Sequence, residues 1–207
     1  MGLEMKINFR NRFVLLTILY MIFILIMTWF YPYSFFSIYK RYSWETYEVY
    51  SNGKSYKELL DEFKAIHEAD LMAEKDNDSL PNMIIDHTVG LLDFFQQEWL
   101  LNDDPTQMDD KELSDMEFNL QIAKRNILDL LVQVDFSIDG KYYLVEMLHH
   151  IDEMEKTISE LKQAAYFTRN DLRRNFNNLY GEMLFLLDFY RTFYENVKNG
   201  EFNIEVS

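Results

Sequence analysis

The chain of 207 residues has no cysteine, three prolines, six glycines and 48% apolar residues. This composition excludes a disordered chain, a collagen and a disulfide-stapled scaffold. Asp and Glu outnumber Lys and Arg by 35 to 20, a net charge of −15. We expect no nucleic-acid partner, because no basic surface is available to neutralise phosphates. The length suits one compact domain of about 150 residues and an additional segment.

The additional segment lies near the N-terminus. Residues 13–31 are 19 consecutive residues without a charge. As a helix they extend about 28 Å, close to the thickness of a hydrocarbon core of about 30 Å. The run is longer than the apolar region of a signal peptide, and no small residues follow it at the spacing of a cleavage site. The sequence therefore predicts an uncleaved transmembrane helix in contact with membrane lipid, rather than a buried core helix.

The charges on the two flanks predict the orientation of this helix. Three basic residues precede it, namely Lys6, Arg10 and Arg12. The other flank has no basic residue before Lys40 and Arg41. The positive-inside rule then predicts a single-pass protein of the cell membrane, with residues 1–12 as a cytoplasmic tail and the C-terminal domain outside the cytoplasm.

Residues 32–50 form an aromatic juxtamembrane segment whose rings suit the headgroup level of a bilayer. Pro32 ends or kinks the preceding helix. Two interpretations fit the rest of the segment. Residues 34–50 are either a second helix lying near the bilayer surface or the first element of the soluble domain.

Residues 51–200 show helical periodicity. Ser55 and Glu58 have the spacing of a capping box that begins a helix, whose apolar face is Tyr56, Leu59, Phe63 and Ile66. A second helix is predicted over residues 82–101, with the apolar face Ile85, Val89, Leu92, Phe95 and Trp99. Asp104 and Pro105 then suit the N-cap and first position of the next element.

Three later stretches have the heptad spacing of packed helices. The first covers residues 109–134, with Leu113, Met116, Leu120, Ala123, Ile127, Leu130 and Val134. The second has Leu144, Met147, Ile151, Met154, Ile158, Leu161, Ala165 and Thr168. The third has Leu172, Phe176, Leu179, Met183, Leu186, Tyr190, Phe193 and Val197, and Asn199-Gly200 ends it.

Two connections stay open. Residues 134–145 fit a helix-turn-helix with its turn at Asp139-Gly140, which the flanking heptads favour, or a β-hairpin. Residues 141–199 fit two helices with a turn at Asn170-Asp171 or one helix of about 58 residues, since the heptad phase slips there. The predicted fold is all-α, one transmembrane helix followed by an antiparallel bundle of four or five helices and a C-terminal tail at 201–207.

Motifs for catalysis are missing from the sequence. No cysteine, no Gly-x-Ser-x-Gly elbow and no glycine-rich phosphate loop occur, so we expect no enzyme, no catalytic residues and no cofactor. Glu146 and His149 form one Glu-x-x-His motif, with Glu153 one turn later. Di-iron bundles use this motif twice, so we expect no metal site here, although His67 and His87 make a composite site conceivable.

Two further features need an interpretation. Arg169, Arg173 and Arg174 are a basic cluster that either receives an acidic group or, as we favour, is a solvated tip paired with neighbouring acids. Asn77-Asp78-Ser79 matches a short glycosylation motif that is expected by chance.

The expected function is that of a non-enzymatic interaction protein, an accessory, scaffold or inhibitor of envelope machinery that binds a protein partner. The alternative is a small-ligand or metal-binding sensor bundle. An exposed apolar stripe on the bundle favours the first function. An internal apolar cavity with convergent polar groups favours the second.

Overall fold

The computed structural model describes residues 9–46, 50–51, 53–73 and 82–202. The elements in chain order are α1 (Phe9–Phe30), β1 (Arg41–Trp44), α2 (Tyr56–Ala73), α3 (Asn82–Phe95), α4 (Glu98–Leu101), β2 (Thr106–Asp109), α5 (Asp110–Gln133), α6 (Ile138–Lys162) and α7 (Arg169–Lys198). The structure is 75% helical, with a single pair of short strands in its described part. The predicted all-α fold is confirmed.

The first helix stands apart from the core. Its segment Asn11–Phe30 is long and apolar enough to cross a membrane, and none of it is buried inside the protein. Beyond the helix the chain folds back onto it. The backbone N–H of Ile38 donates to Thr28 Oγ1 at 3.0 Å, and the ring of Phe36 packs edge-on against Phe23. The end of α1 is thereby fixed to the segment that follows it.

That following segment forms a strand, not a helix. Arg41–Trp44 pairs antiparallel with Thr106–Asp109, and Tyr42 and Trp44 point into the core while their neighbours face solvent. Alternating aromatic residues suit a pleated strand with one buried face. The predicted surface helix over residues 34–50 is therefore wrong in its described part, because residues 41–44 form a strand that packs into the core of the bundle, in line with the alternative interpretation.

The capping box that begins α2 is confirmed. The backbone N–H of Ser55 donates to Glu58 Oε2 at 2.7 Å, and the N–H of Glu58 donates to Ser55 Oγ at 3.4 Å. Tyr56, Leu59 and Phe63 are buried and Ile66 is packed against the core from its edge, as the spacing predicted.

The single helix predicted over residues 82–101 is wrong near its C-terminal end, where it is interrupted after Phe95. The chain turns at Gln96-Gln97, where the side-chain amides donate to the carbonyl oxygens of Leu92 and Phe94. These bonds satisfy acceptors that the end of α3 leaves open. The face also differs from the prediction, because Val89 points to solvent and Thr88 is buried in its place.

The predicted N-cap at Asp104 is also wrong. Residues 102–105 lead into β2, and Asp109 caps α5 instead. Its carboxylate accepts from the backbone N–H groups of Lys111 and Glu112 at 2.9 and 3.0 Å. Asp-Pro was misleading because proline also suits the approach to a short edge strand.

The α5–α6 connection is a helix-turn-helix, and the β-hairpin alternative is wrong. All seven heptad residues predicted for 109–134 are buried. The turn, however, lies at residues 134–137, and Ser137 caps α6 through the N–H of Gly140. Gly140 therefore sits in the first helical turn, where a Cβ would lie 3.0 Å from Phe136 and 3.2 Å from Phe202.

Residues 141–199 form two helices, so the single long helix is wrong. The break lies at residues 163–168, before the predicted turn at Asn170-Asp171, and it leaves Ala165 and Thr168 outside α6. Thr168 and Asp171 make a reciprocal capping box that begins α7. All eight residues predicted for the last face are buried, and Gly200, with φ of 74°, follows the predicted stop at Asn199.

The bundle has two distinct ends. Helices α5, α6 and α7 follow one another in an antiparallel arrangement. Helix α2 is parallel to α7, because Tyr56 near its start packs on Tyr180 and Asp70 near its end pairs with Lys198 at 2.6 Å. We call residues 32–46, 106–112 and 162–174 the α1 end. We call residues 133–141 and 198–202 the far end. The core between them is continuous from Tyr42 at the α1 end to Phe202 at the far end.

Candidate functional site

Five exposed apolar side chains lie on the far half of α5 and α6, outside the apolar helix α1. We name them the α5–α6 patch: Leu128, Val132, Ile138, Tyr142 and Val145. Val132 and Ile138 are 82% and 87% exposed, which is unusual for side chains of this size. They occupy helix positions outside the heptad core, so none of them is packed in the interior of the bundle.

Ion pairs between the two helices set the register of the patch. Lys124 Nζ lies 2.8 Å from Glu155 and also pairs with Asp152. Eight residues further along α5, the same antiparallel register places Val132 at about the level of Val145 along the bundle. The patch therefore has members at matching levels on both helices.

A polar rim surrounds these side chains. Arg125 and Asp129 lie on α5 at 3.9 Å from one another, and Lys141 pairs with Asp135 across the helical turn. An apolar centre with a charged rim is typical of protein-binding surfaces, and tyrosine is enriched in them.

The patch was not identified as a site from the sequence, although a signal was present. In a heptad pattern, large apolar residues outside the seam positions have no core to enter. Phe118 and Ile122 show the same signal nearer the α1 end and are 61% and 41% exposed.

The structure separates the residues of the Glu-x-x-His motif from other ligands. Glu146 interacts with Tyr142 and raises the pKa of that phenol through its charge and a hydrogen bond. His149 is exposed, and Glu153 lies beside Lys156 at 3.5 Å. Within the described ranges, no group of three or more His, Cys, Asp or Glu side chains is arranged to hold a metal ion.

The remaining histidines lie against other residues of the bundle. His67 is buried, with Nε2 3.3 Å from the carbonyl oxygen of Ile85. His87 is half-buried on α3. His150, which the sequence did not single out, pairs with Glu182 at 2.7 Å and packs on Phe185, linking α6 to α7.

A cavity between the core helices has a volume of ≈ 10 Å³. Its lining is mainly apolar: Phe94, Gln97, Trp99, Met116, Leu120, Met154, Ile158, Leu179 and Met183. Pockets for small ligands start at about 300 Å³, so this cavity holds no more than a water molecule.

The three arginines of the basic cluster, Arg169, Arg173 and Arg174, each lie in a different environment. Arg169 stacks over the ring of Trp29 at 4.8 Å and donates from Nε to the carbonyl oxygen of Trp29 at the end of α1. Arg174 pairs with Asp171 at 3.3 Å, as a solvated tip does. Arg173 borders a cleft of ≈ 460 Å³ beside Trp44. The contact of Arg169 spans 140 residues of sequence, so no local pattern could predict it.

The glycosylation motif Asn77-Asp78-Ser79 lies outside the described residues. Comparison of the chain with protein-family models, with curated proteins and with solved structures found no match.

Proposed function

We propose that this protein is a single-pass membrane protein whose helical bundle binds another protein through the α5–α6 patch. It acts as an accessory, scaffold or inhibitor of envelope machinery and not as an enzyme. The observation that carries the proposal is the exposure of large apolar side chains on two adjacent helices at a fixed register.

Burial of this patch supplies a driving force for association. Each Å² of apolar surface removed from water stabilises a complex by about 25 cal/mol, before the costs of association. Leaving the same surface in water has no benefit for the isolated bundle, because substitution of Val132 by a polar residue would disturb no core contact. A binding role accounts for apolar side chains at these exposed positions in an otherwise acidic protein.

The position of the patch suits a partner held away from the bilayer. The 24 residues of α5 rise about 36 Å from the α1 end to the far end. A bundle attached to a membrane through α1 thus presents the patch at its outer half, where a neighbouring protein has access.

Membrane attachment and orientation belong to the same proposal. The length and composition of α1 support a membrane span, and the basic residues before it support a cytoplasmic N-terminus with the bundle outside. The ≈ 10 Å³ volume of the core cavity gives a ligand site inside the bundle less support than the patch gives an interaction protein.

Site-specific crosslinking tests the proposal. A photoreactive phenylalanine analogue at Val132 in the full chain, irradiated in intact membranes, is expected to trap a protein partner. The same analogue at Asn178, an exposed position on α7, is the control and is expected to trap none.

A second substitution ties the crosslink to the patch. Val145→Asp places a charge at about the level of Val132 along the bundle and is expected to abolish the crosslinked band. An adduct of twice the chain mass would assign the patch to self-association. Equal labelling at Val132 and Asn178 would contradict a specific interface.

A further inference from the structure

Charge is unevenly distributed along the long axis of the protein. The α1 end carries seven basic residues: Lys40, Arg41, Lys111, Lys162, Arg169, Arg173 and Arg174. It carries five acidic residues, and Asp115 and Glu117, just beyond it on α5, pair with Lys111 and Lys162. The segments 47–105, 113–161 and 175–207 carry ten basic and 29 acidic residues. Unlike the strongly acidic remainder of the bundle, the α1 end together with these two acids carries as many basic as acidic residues.

Tertiary contacts bring this end level with the C-terminus of α1. Arg169 stacks on Trp29, and the hydroxyl of Tyr33 donates to the carbonyl oxygen of Met108 at 2.8 Å. Lys40 and Lys162 line one cleft of ≈ 340 Å³, although they are more than 100 residues apart in sequence. Segments from three parts of the chain thus form one surface around the end of the apolar helix.

Three of the seven cationic groups at this end form salt bridges, Lys111 with Asp115, Lys162 with Glu117 and Arg174 with Asp171, and the other four form none with a described residue. Lys40 and Arg41 lie over the rings of Phe35 and Tyr39 at 5.4 and 4.9 Å. Neither of them forms a salt bridge with another residue that the structure describes, nor does Arg173. A group held on an aromatic face keeps its N–H donors free for an anion.

Exposed apolar and aromatic side chains accompany these charges. Phe35 is 75% exposed, and Ile38 and Tyr39 are also exposed. Tyr166, in the α6–α7 turn, is 81% exposed, although it is more than 100 residues from α1 in sequence. Aromatic rings next to cations are the chemistry of a membrane–water interface, where the ring enters the headgroup layer and the cation binds phosphate.

We propose that the α1 end is a docking surface for anionic phospholipid headgroups, with Arg173 and Arg174 near lipid phosphates and Tyr166 inserted at the interface. The inference rests on the proposed membrane span of α1. Each basic residue near an anionic leaflet strengthens the attraction about fivefold. The same leaflet repels the acidic remainder of the bundle, so both effects favour one upright orientation, with the α5–α6 patch furthest from lipid.

The absence of cysteine from the chain permits a direct test with single-cysteine variants. Tyr166→Cys and Ile138→Cys have similar exposure at opposite ends of the bundle, so they are matched positions for one fluorophore. The labelled full chain is reconstituted in vesicles of phosphatidylcholine, with or without phosphatidylglycerol, that contain a lipid with a nitroxide quencher on its headgroup. Flotation of the vesicles reports the membrane span separately.

The expected result is quenching of the label at position 166, increased by phosphatidylglycerol, and none at position 138. Neutralising two charges in Arg173→Gln/Arg174→Gln is expected to weaken docking on phosphatidylglycerol about 25-fold. Lys156→Gln, at an exposed lysine of α6 outside the α1 end, is the control and is expected to leave quenching unchanged.

Two outcomes would overturn the docking surface while leaving the span intact. In the first, the protein floats with the vesicles but the label at position 166 stays unquenched. In the second, quenching at position 166 is the same with and without phosphatidylglycerol and in the double variant. Loss of flotation itself would count against the proposed membrane attachment.

Discussion

Trp44 Nε1 donates a 2.9 Å hydrogen bond to Oδ1 of Asn177, which links β1 to α7 across 133 residues of sequence. The indole is 1% exposed, and its ring packs against Trp99 and Tyr180 with centroid distances of 5.7 and 5.9 Å. The segment that leaves α1 therefore contributes one of the largest side chains of the bundle core.

Removing this side chain should destabilise the whole bundle. Trp44→Ala leaves a cavity and is expected to cost about 3–5 kcal/mol in the free energy of unfolding. Asn177→Ala leaves the indole donor unpaired, at a cost of about 1–3 kcal/mol. Thermal melts of the full chain in mild detergent, followed by circular dichroism, measure both effects. Glu45→Ala, at the exposed neighbouring position, is the control, and a Trp44→Ala melt equal to it would show that β1 is not part of the core.

Charges placed on the heptad seam should unfold the protein. Leu120 and Ile158 are each 2% exposed, so Leu120→Asp or Ile158→Asp buries an unpaired carboxylate and is expected to cost several kcal/mol. Phe118→Asp, two residues away on the same helix, reaches water and should melt like the unmodified chain. Chemical denaturation monitored by helical signal compares the three variants. Equal midpoints for Leu120→Asp and Phe118→Asp would refute the assignment of the core face.

The capping box of α7 predicts a loss of stability in acid. Hydrogen bonds from the Thr168 hydroxyl and backbone N–H lower the pKa of Asp171 below its ordinary value of 3.8. A carboxyl group with a lowered folded pKa stabilises the fold above its unfolded pKa, and this contribution disappears as pH falls through the folded value. Melting temperature should therefore fall below about pH 4, less steeply in Asp171→Asn than in the unmodified chain. Identical pH profiles would show that the cap does not contribute.

Orientation in the membrane is predicted by the basic residues before α1. Ile138→Cys, exposed at the far end, should react with a membrane-impermeant maleimide added to intact cells. A cysteine at Gly2 should react only after lysis, because residues 1–12 are predicted to be cytoplasmic. The opposite labelling pattern would place the bundle in the cytoplasm.

The last prediction concerns metal. His149 is exposed and Glu146 is engaged with Tyr142, so the protein purified without a histidine tag should contain less than one equivalent of iron, manganese or zinc. Elemental analysis of the unmodified chain and His149→Ala should give the same low content. Stoichiometric metal that is lost in His149→Ala would instead favour the sensor alternative.

Periodicity predicted the long helices well because α5, α6 and α7 each bury one continuous stripe. Leu113 to Val134 repeat at heptad spacing without interruption, and a pattern of that length has no strand equivalent. Prediction failed where structure depends on distant residues. Four residues at Arg41–Trp44 form a strand only because Thr106–Asp109 lies beside them, and neither segment carries a pattern long enough to detect.

The boundary between α6 and α7 was predicted at the wrong residues for a different reason. Thr168-x-x-Asp171 is a capping box that can be read from the sequence, yet the heptad of the preceding helix continues in phase to Thr168 and hides it. Residues Val132 and Ile138 of the α5–α6 patch were likewise visible as apolar residues outside the seam, but sequence alone does not show that α5 and α6 bring them together.

Because the end of α1 is fixed to the bundle, a tilt of α1 is transmitted to the bundle as a whole. The hydrogen bonds of Ile38 with Thr28 and of Arg169 with Trp29 leave no slack linker to absorb a change in the tilt of α1. A membrane helix changes its tilt when bilayer thickness changes. The 30 residues of α7 extend about 45 Å, so a tilt of about 10° displaces the far end by about 8 Å. With α1 as the proposed membrane span, variation in membrane thickness would therefore move the far end of the bundle laterally.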